Sequence, residues 1–454
     1  MLRQLTLATA LFVGLLVLAR GPTATPVVSM APAVENEVLV QLRAPFWSLP
    51  DAMLSDRFAA DVTQRLSSTG SLLLRLHDGE TPASAVTRLA RLPQVEFAEP
   101  NYRLSAAAAP NDPFYTAQST YMNVIEAPSA WDIETGDDSV LVAVLDSGLD
   151  LDHPDLQGKY WTNVRELDDN NLDDDGNGCV DDRHGCSFIS KSSSDPSCAM
   201  PRPGLVRDDN GHGTFVAGII AAKGNNGIGL SGGAPGVTIL PVKILDCTGG
   251  GTASEAAQAI LYAAKVGARV ANISFSADGE SMTLANALRE AQERYGMVIV
   301  APTGNDGKRG VTFPARLPQI IAVASSGTPG DANARSPFSD WGPEVAVAAP
   351  GLNIVSTVPK AFCDSGAWPC VPNQPYAISS GTSYAAPLVS ALAALLISRT
   401  PNLPPAAVRQ IILATADPLP DGSTPNWDGA GRIRMRAALN QTRYSLGVPG
   451  VTHQ

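Results

Sequence analysis

Val140-Leu141-Val142-Ala143-Val144-Leu145 is an uninterrupted apolar run, and Asp146-Ser147-Gly148 closes it with an acid, a hydroxyl and a turn residue. A strand that is apolar on consecutive positions has no solvent face, because alternate side chains point to opposite sides of a sheet. Similar runs lie at 237–245, 268–275, 297–301 and 320–324, with helical stretches such as 252–266 and 281–295 between them. The alternation predicts an α/β fold, a mostly parallel sheet with helices on both faces. Ligands of such sheets bind beyond the carboxyl ends of the strands, so polar residues directly after each run are the first candidates for chemistry.

N-terminal to this region, residues 36–104 read as a smaller α+β unit. Val38-Leu39-Val40 is its first strand, 51–66 a helix, Leu72 to Leu76 a second strand, and Asp78-Gly79 a hairpin-like turn. Thr81 is placed to cap a helix with Pro82 at its first position, which Pro93 ends. Val95 to Glu99 is the last strand, and Ser105, four alanines and Pro110-Asn111-Asp112-Pro113 make a flexible joint open to proteolysis. Ahead of the unit, Met1 to Gln4 is a short basic start and 5–19 an uncharged, mostly apolar run. That run is shorter than the roughly 20 residues a bilayer requires and fits an export signal removed by cleavage. The expected organisation is a signal peptide over 1–30, a small domain over 31–105 and a large domain over 106–454, with secretion and no membrane anchor.

Acids outnumber bases 44 to 32, for a net charge of −12. Residues 1–105 hold nine Arg, no Lys and nine acids, so the whole excess lies in the large domain. This balance disfavours a nucleic-acid partner held by a basic face.

Three segments of the large domain carry candidate chemistry: Asp146 at the end of the first run, His212 in Asp208-Asp209-Asn210-Gly211-His212-Gly213-Thr214, and Ser383 in Ser380-Gly381-Thr382-Ser383-Tyr384-Ala385-Ala386-Pro387. Each is ordinary alone: an acid caps turns, and a serine at a helix start is usually a cap. A serine nucleophile needs a base, however, and the chain has five histidines. His77 is in the small unit, His184 in an acidic loop and His453 in the tail, which leaves His153 and His212.

The three segments, in the order Asp, His, Ser and with their spacing over 112–440, resemble the subtilisin-like serine peptidase family. The resemblance implies a subtilisin-like fold and a triad of Asp146, His212 and Ser383, and it leaves His153 to a structural role. It implies an oxyanion hole from Asn305 and the backbone N–H of Ser383. It implies that Ser274, Phe275, Ser276, Pro302, Thr303 and Gly304 wall the substrate pocket. Ser274-Phe275-Ser276-Ala277 stands where relatives usually have Ser-Leu-Gly-Gly, and Pro302-Thr303 where two alanines are commoner. The small unit resembles the family's ferredoxin-like propeptide, an intramolecular chaperone and inhibitor removed by autoprocessing between Tyr102 and Asp112. The implied activity is that of a secreted serine endopeptidase acting on protein or peptide substrates as a monomer. A calcium-dependent peptide-binding protein without catalysis is the alternative. A serine esterase is disfavoured, because only His453 follows Ser383.

Residues 166–182 hold eight acids and no base. Asn171, Asp173 and Asp175, then Gly176 and an acid at the twelfth position, Asp182, follow the order of an EF-hand loop. Asp181 is an alternative closing ligand. Relatives carry a segment similar to Asp175-Gly176-Asn177-Gly178, and calcium is expected here. Gly227-Ile228-Gly229-Leu230-Ser231-Gly232 matches a dinucleotide fingerprint in the wrong context, since a helix precedes it and Pro235 follows. The resemblance makes this stretch a second calcium loop, with Asn226, the carbonyls of Gly224, Ile228 and Leu230, Asp155 and Gln118. One or two structural calcium ions are therefore expected, and no organic cofactor. Six cysteines in an exported chain favour disulfides over a zinc site, and allow 15 connectivities. Nearness suggests Cys179 with Cys186 and Cys363 with Cys370, leaving Cys198 with Cys247.

Overall fold

The computed structural model describes residues 33–68, 70–77, 79–102, 109–167, 169–190, 198, 200–277, 279–328, 330–419 and 426–445. The expected signal segment, Asp78, His453 and residues 105–108 of the joint lie outside these residues. The chain divides into two compact units, Met1–Ala106 and Ala107–Gln454.

In the first unit β1 (Ala33–Leu42), α1 (Asp51–Phe58), β2 (Ala60–Arg65), β3 (Ser71–Leu76), α2 (Pro82–Leu89) and β4 (Val95–Tyr102) follow one another. The strands form an antiparallel sheet in the order β2-β3-β1-β4, the ferredoxin-like arrangement. The helix expected over 51–66 stops at Phe58, where Ala59 turns left-handed, and 60–65 is a strand. Pairing of Asp61 and Val62 with Arg75 and Leu74 overrides the local helical pattern there. Thr81 caps α2 as its position suggests, accepting the Ser84 N–H. Val38, Val40, Leu54, Phe58, Leu72, Leu74, Leu89 and Val95 close the core of this unit.

The second unit is built on β5 (Leu141–Asp146), α3 (His212–Ala221), β6 (Thr238–Lys243), α4 (Ala253–Val266), β7 (Val270–Ile273), α5 (Met282–Tyr295), β8 (Val298–Pro302), β9 (Ile321–Thr328) and α6 (Thr382–Arg399). The sheet runs Asp331–Arg335, β9, β8, β7, β5, β6, Cys186–Ser187, and Val347–Pro350 also pairs with β9. Every pairing is parallel except that of Asp331–Arg335. One side of the sheet packs against α3 and α6 through Val142, Val144, Phe215, Leu388 and Leu392, the other against α4 and α5 through Leu145, Ile260 and Leu288. The strands thus have no wet face, which is why their sequences are continuously apolar. Helix α6 is apolar enough to cross a bilayer, but it is the core helix of the unit, buried from Tyr384 to Ile397.

Candidate active site

The carboxyl ends of the parallel strands converge on one place. Asp146 is the last residue of β5, Ser274 follows β7, and Thr303-Gly304-Asn305 follows β8, while α3 begins at His212 and α6 begins one residue before Ser383. An open cleft of about 860 Å3 is lined by His212, Ser383 and Asn305 together with Ser274, Phe275, Ser276, Pro302 and Gly304. Thr303 is buried behind this wall, where its hydroxyl has no partner.

Asp146 is fully buried and both of its oxygens approach His212 Nδ1, at 2.8 and 2.9 Å. The Ser147 N–H donates to the same carboxylate. The carboxylate, accepting from His212 Nδ1, fixes the tautomer of the imidazole and leaves Nε2 as its basic nitrogen. Burial pushes the His212 pKa down, but the charge of Asp146, its hydrogen bond and the charge of Asp208 outweigh burial and raise it.

The segment preceding His212 is held by groups that no spacing rule identifies. Gly211, the residue before α3, has no side chain to cap the helix, and Asp208 supplies the cap instead. Its Oδ1 accepts from the N–H groups of Asn210 and Gly211 and from the Ser147 hydroxyl, its Oδ2 from the N–H and hydroxyl of Thr214. Lys243, paired beside Asp146 in the sheet, donates to the Ser147 carbonyl and forms a 2.6 Å ion pair with Asp209. The amphipathic signal for both residues is absent because they act on loops rather than on a helix or strand face.

Asn305 is exposed to the cleft while its Oδ1 accepts from the N–H and hydroxyl of Thr382, both at 2.9 Å. A backbone N–H can only donate, so this contact assigns the oxygen and turns the Nδ2 donor away from Thr382. Gly304 is left-handed, and a Cβ on it would lie 2.2 Å from the Asp340 carboxylate, so only glycine fits. Asp340 in turn accepts from the N–H groups of Asp306 and Lys308 and donates its own N–H to the Gly304 carbonyl.

His153 is elsewhere. Its Nε2 faces the Pro375 carbonyl at 2.9 Å and its Nδ1 accepts the Asp155 N–H, so the ring is a neutral bridge. Burial pushes its pKa down to about 4.

The acidic loop departs from the EF-hand expectation. Asp173 and Asp175 converge with Glu166, carboxylate oxygens of the three lying within 4.8 Å of one another. Asp182 does not join them: its oxygens are taken by the amides of Asn163 and Asn177 and by the hydroxyl of Tyr262, which draws it against α4. Asn177 also accepts from the Cys179 N–H, and the exposed Asn171 donates its N–H to Asp181. Glu166 is the acid that spacing missed. Its Oε1 accepts from the N–H groups of Asp174 and Asp175, while its buried Oε2 has no partner. A hard cation taking oxygen ligands fits this donor set.

In the second loop Asp155 is fully buried and accepts from the Asn226 amide and the Leu230 N–H. The Gln118 amide is buried and bonds at both ends to the backbone of Ser231, which fixes its oxygen beside the loop. The acid that reaches the loop is the buried Asp112, which accepts from the N–H groups of Asn225 and Asn226. Gly224 and Ile228 complete the turn, with the Ile228 N–H donating to Asn226. Burial pushes the Asp155 carboxyl up to about 6, and the Asp112 charge adds to the rise. Two buried acids facing one loop also fit a cation.

The disulfides are Cys179–Cys186, Cys198–Cys247 and Cys363–Cys370, the pairing that nearness suggests.

Comparison with known proteins agrees with this architecture. The pattern of the subtilase family (Peptidase S8) matches residues 137–431, and that of the fervidolysin N-terminal prodomain matches residues 20–101. The chain is 35% identical over 411 residues to a thermophilic serine proteinase of Bacillus sp. strain AK1, covering 89% of this chain and 88% of that protein. It is 35% identical to thermitase of Thermoactinomyces vulgaris, over 73% of this chain and 99% of that one. Among solved structures, a protease from Pseudoalteromonas arctica aligns with a TM-score of 0.55 at 27% identity, over 74% of this chain and 99% of that one. Fervidolysin from Fervidobacterium pennivorans shares the fold with a TM-score of 0.57, at 24% identity over 90% of this chain and 61% of that one.

Proposed function

The chain belongs to the subtilase family of serine endopeptidases and carries a prodomain, and from that premise we propose that Asp146, His212 and Ser383 are its catalytic triad. His212 Nε2 takes the proton of Ser383 Oγ as the serine attacks a peptide carbonyl, and later gives it to the leaving amine. Asp146 stays charged, orients the ring and stabilises the imidazolium. The carbonyl oxygen, becoming an oxyanion, receives Asn305 Nδ2 and the backbone N–H of Ser383, which lies in the first turn of α6, where amides have no intrahelical acceptor. Because Thr382 already holds the Asn305 oxygen, that donor is in place before charge develops. Water then cleaves the acyl-enzyme by the same proton transfers in reverse order.

The observation that carries this reading is the buried Asp146 carboxylate on His212 Nδ1, with Ser383 and Asn305 in the same cleft. Ser383→Ala tests it: hydrolysis of casein falls to background, and undiminished hydrolysis overturns the assignment.

Further parts of the reading follow the same premise. The enzyme is exported through its N-terminal segment, and the first unit inhibits and assists the second until it is cut away. The substrate pocket is walled by Ser274, Phe275, Ser276, Pro302 and Gly304. Glu166, Asp173 and Asp175, and separately Asp112 and Asp155 with Asn226, hold structural calcium. Bound calcium offsets the repulsion of these acids and stabilises the loops; it takes no part in the proton transfers.

A further inference from the structure

We propose that Trp368 is a positioning residue for His212, fastened to that task by the Cys363–Cys370 disulfide. The inference rests on His212 being the base. Trp368 Nε1 donates to the carbonyl of Asn210 at 3.0 Å, two residues before His212. Its ring also presses on the intervening residue: a Cβ on Gly211 would lie 2.6 Å from Trp368 Nε1 and 3.3 Å from Phe362. Gly211 is left-handed, so the indole occupies space that only a glycine leaves open.

The indole reaches His212 from the other side as well. It stacks on Phe215, one helical turn after His212, with ring centroids 5.4 Å apart and planes 25° apart. Phe215 meets Tyr384 at 4.4 Å, and Tyr384, the neighbour of Ser383, meets the His212 ring at 5.5 Å. Aromatic contacts therefore run from Trp368 through Phe215 and Tyr384 to His212, linking the base to the residue beside the nucleophile. Such ring pairs have preferred geometries, so the position of one constrains the next.

Besides the disulfide, the loop that carries Trp368 is tied by a bridge between Cys370 and Ala377 and by partial packing of Cys363 and Cys370 against the core. Its short helix Lys360–Ser365 buries no residue, and residues 364–367 are exposed. The disulfide closes the loop, and within it the N–H groups of Ala367 and Trp368 donate to the Phe362 carbonyl. Without that closure, the indole would have to be held by its own contacts against the entropy of an exposed segment. Trp368 does not line the cleft, so its effect on catalysis passes through His212.

The test compares Trp368→Ala, Trp368→Phe and the double variant Cys363→Ser with Cys370→Ser, each produced from the full chain and normalised by fluorophosphonate titration of active sites. Displacing a catalytic group by about 1 Å costs up to about 10²-fold, and about tenfold in kcat is expected for Trp368→Ala. Trp368→Phe keeps the stacking and loses the donor to Asn210, for about fivefold. KM stays within about twofold in each, because substrate is not touched. The double cysteine variant falls to the level of Trp368→Ala, and adding Trp368→Ala to it lowers kcat no further, since the two act as one unit. The His212 Nδ1–H resonance shifts or broadens in all three.

If Trp368→Ala lowers only the melting temperature, with kcat per titrated site and the His212 resonance unchanged, the proposal is overturned and the indole is mere packing. Should Trp368→Ala fail to fold, unchanged kcat in Trp368→Phe and in the cysteine variant overturns it equally. Ser383→Ala in the same series separates this from the underlying reading: activity surviving there removes the triad, and this inference with it.

Discussion

Two buried carboxylates in the second unit have opposite surroundings. Asp146 is met by His212 Nδ1 and the Ser147 N–H, and it sits at the end of a buried strand paired on both sides. Glu166 is equally buried, yet its Oε2 has no donor and its carboxylate lies close to those of Asp173 and Asp175. Burial, and next to it the charges of Asp182 and Asp174, raise its pKa above the ordinary carboxyl value. A buried charge is costly unless paired, so the two places differ in what completes them. The first is completed by donors of the protein itself; the second lacks them, and the proposed calcium would supply what is missing. The number of acids in a segment therefore says less about its role than the number of donors pointed at them.

The comparison breaks most visibly at the catalytic end. Ser383→Ala reduces peptide hydrolysis to background while leaving the acidic loop and its response to calcium intact; loss of both together would mean that the protein had simply unfolded. Asn305→Ala lowers kcat by about 10²–10³-fold with KM little changed, the range seen when such a donor is removed from a subtilisin. A fall confined to KM would make Asn305 a substrate contact instead.

Turnover rises with pH about tenfold per unit until His212 loses its proton, and its midpoint lies above the ordinary imidazole value of about 6.5, because Asp146 and Asp208 outweigh burial. The sign for stability is the reverse: the charged ring is favoured in the folded state, so its contribution is present below the unfolded pKa and is lost as pH rises through the folded one. A flat activity profile between pH 5 and 9 contradicts His212 as base.

The loop end of the comparison responds in stability. At calcium a hundredfold above its dissociation constant, removal by a chelator costs about 2.7 kcal/mol, read as a lower melting temperature. Glu166→Gln reduces that response; the same chelator shift in both proteins would show that Glu166 holds nothing. Smallest is loss of the Cys179–Cys186 bond, a closed loop of eight residues worth about 2.5 kcal/mol on a chain-entropy account. Replacing both cysteines by serine lowers the melting temperature without changing kcat per active site, and a loss of turnover would tie this loop to the catalytic end after all.

The parallel sheet was legible because its strands are apolar on consecutive positions, a pattern that only two covered faces explain. Asp146, His212 and Ser383 were legible because strand ends and helix starts bring them to one edge, where Asp146 and His212 meet at 2.8 Å. The strand over 60–65 was not, since pairing with Leu72–Leu76 residues decides it and no local periodicity reports that. Spacing placed Asp182 among the loop ligands, but Tyr262, eighty residues on, donates to its carboxylate and draws it away from Asp173 and Asp175. Glu166, Asp112, Asp208 and Trp368 act through loops, where side-chain direction depends on turns and closures that composition does not encode.

The most direct measurement of the central claim is labelling with a fluorophosphonate followed by peptide mass spectrometry, on the wild type and on His212→Ala. The account predicts one adduct, on Ser383, formed rapidly in the wild type and slowed by about 10²-fold or more without His212. An adduct on another residue, or equal labelling rates in the two proteins, would contradict it.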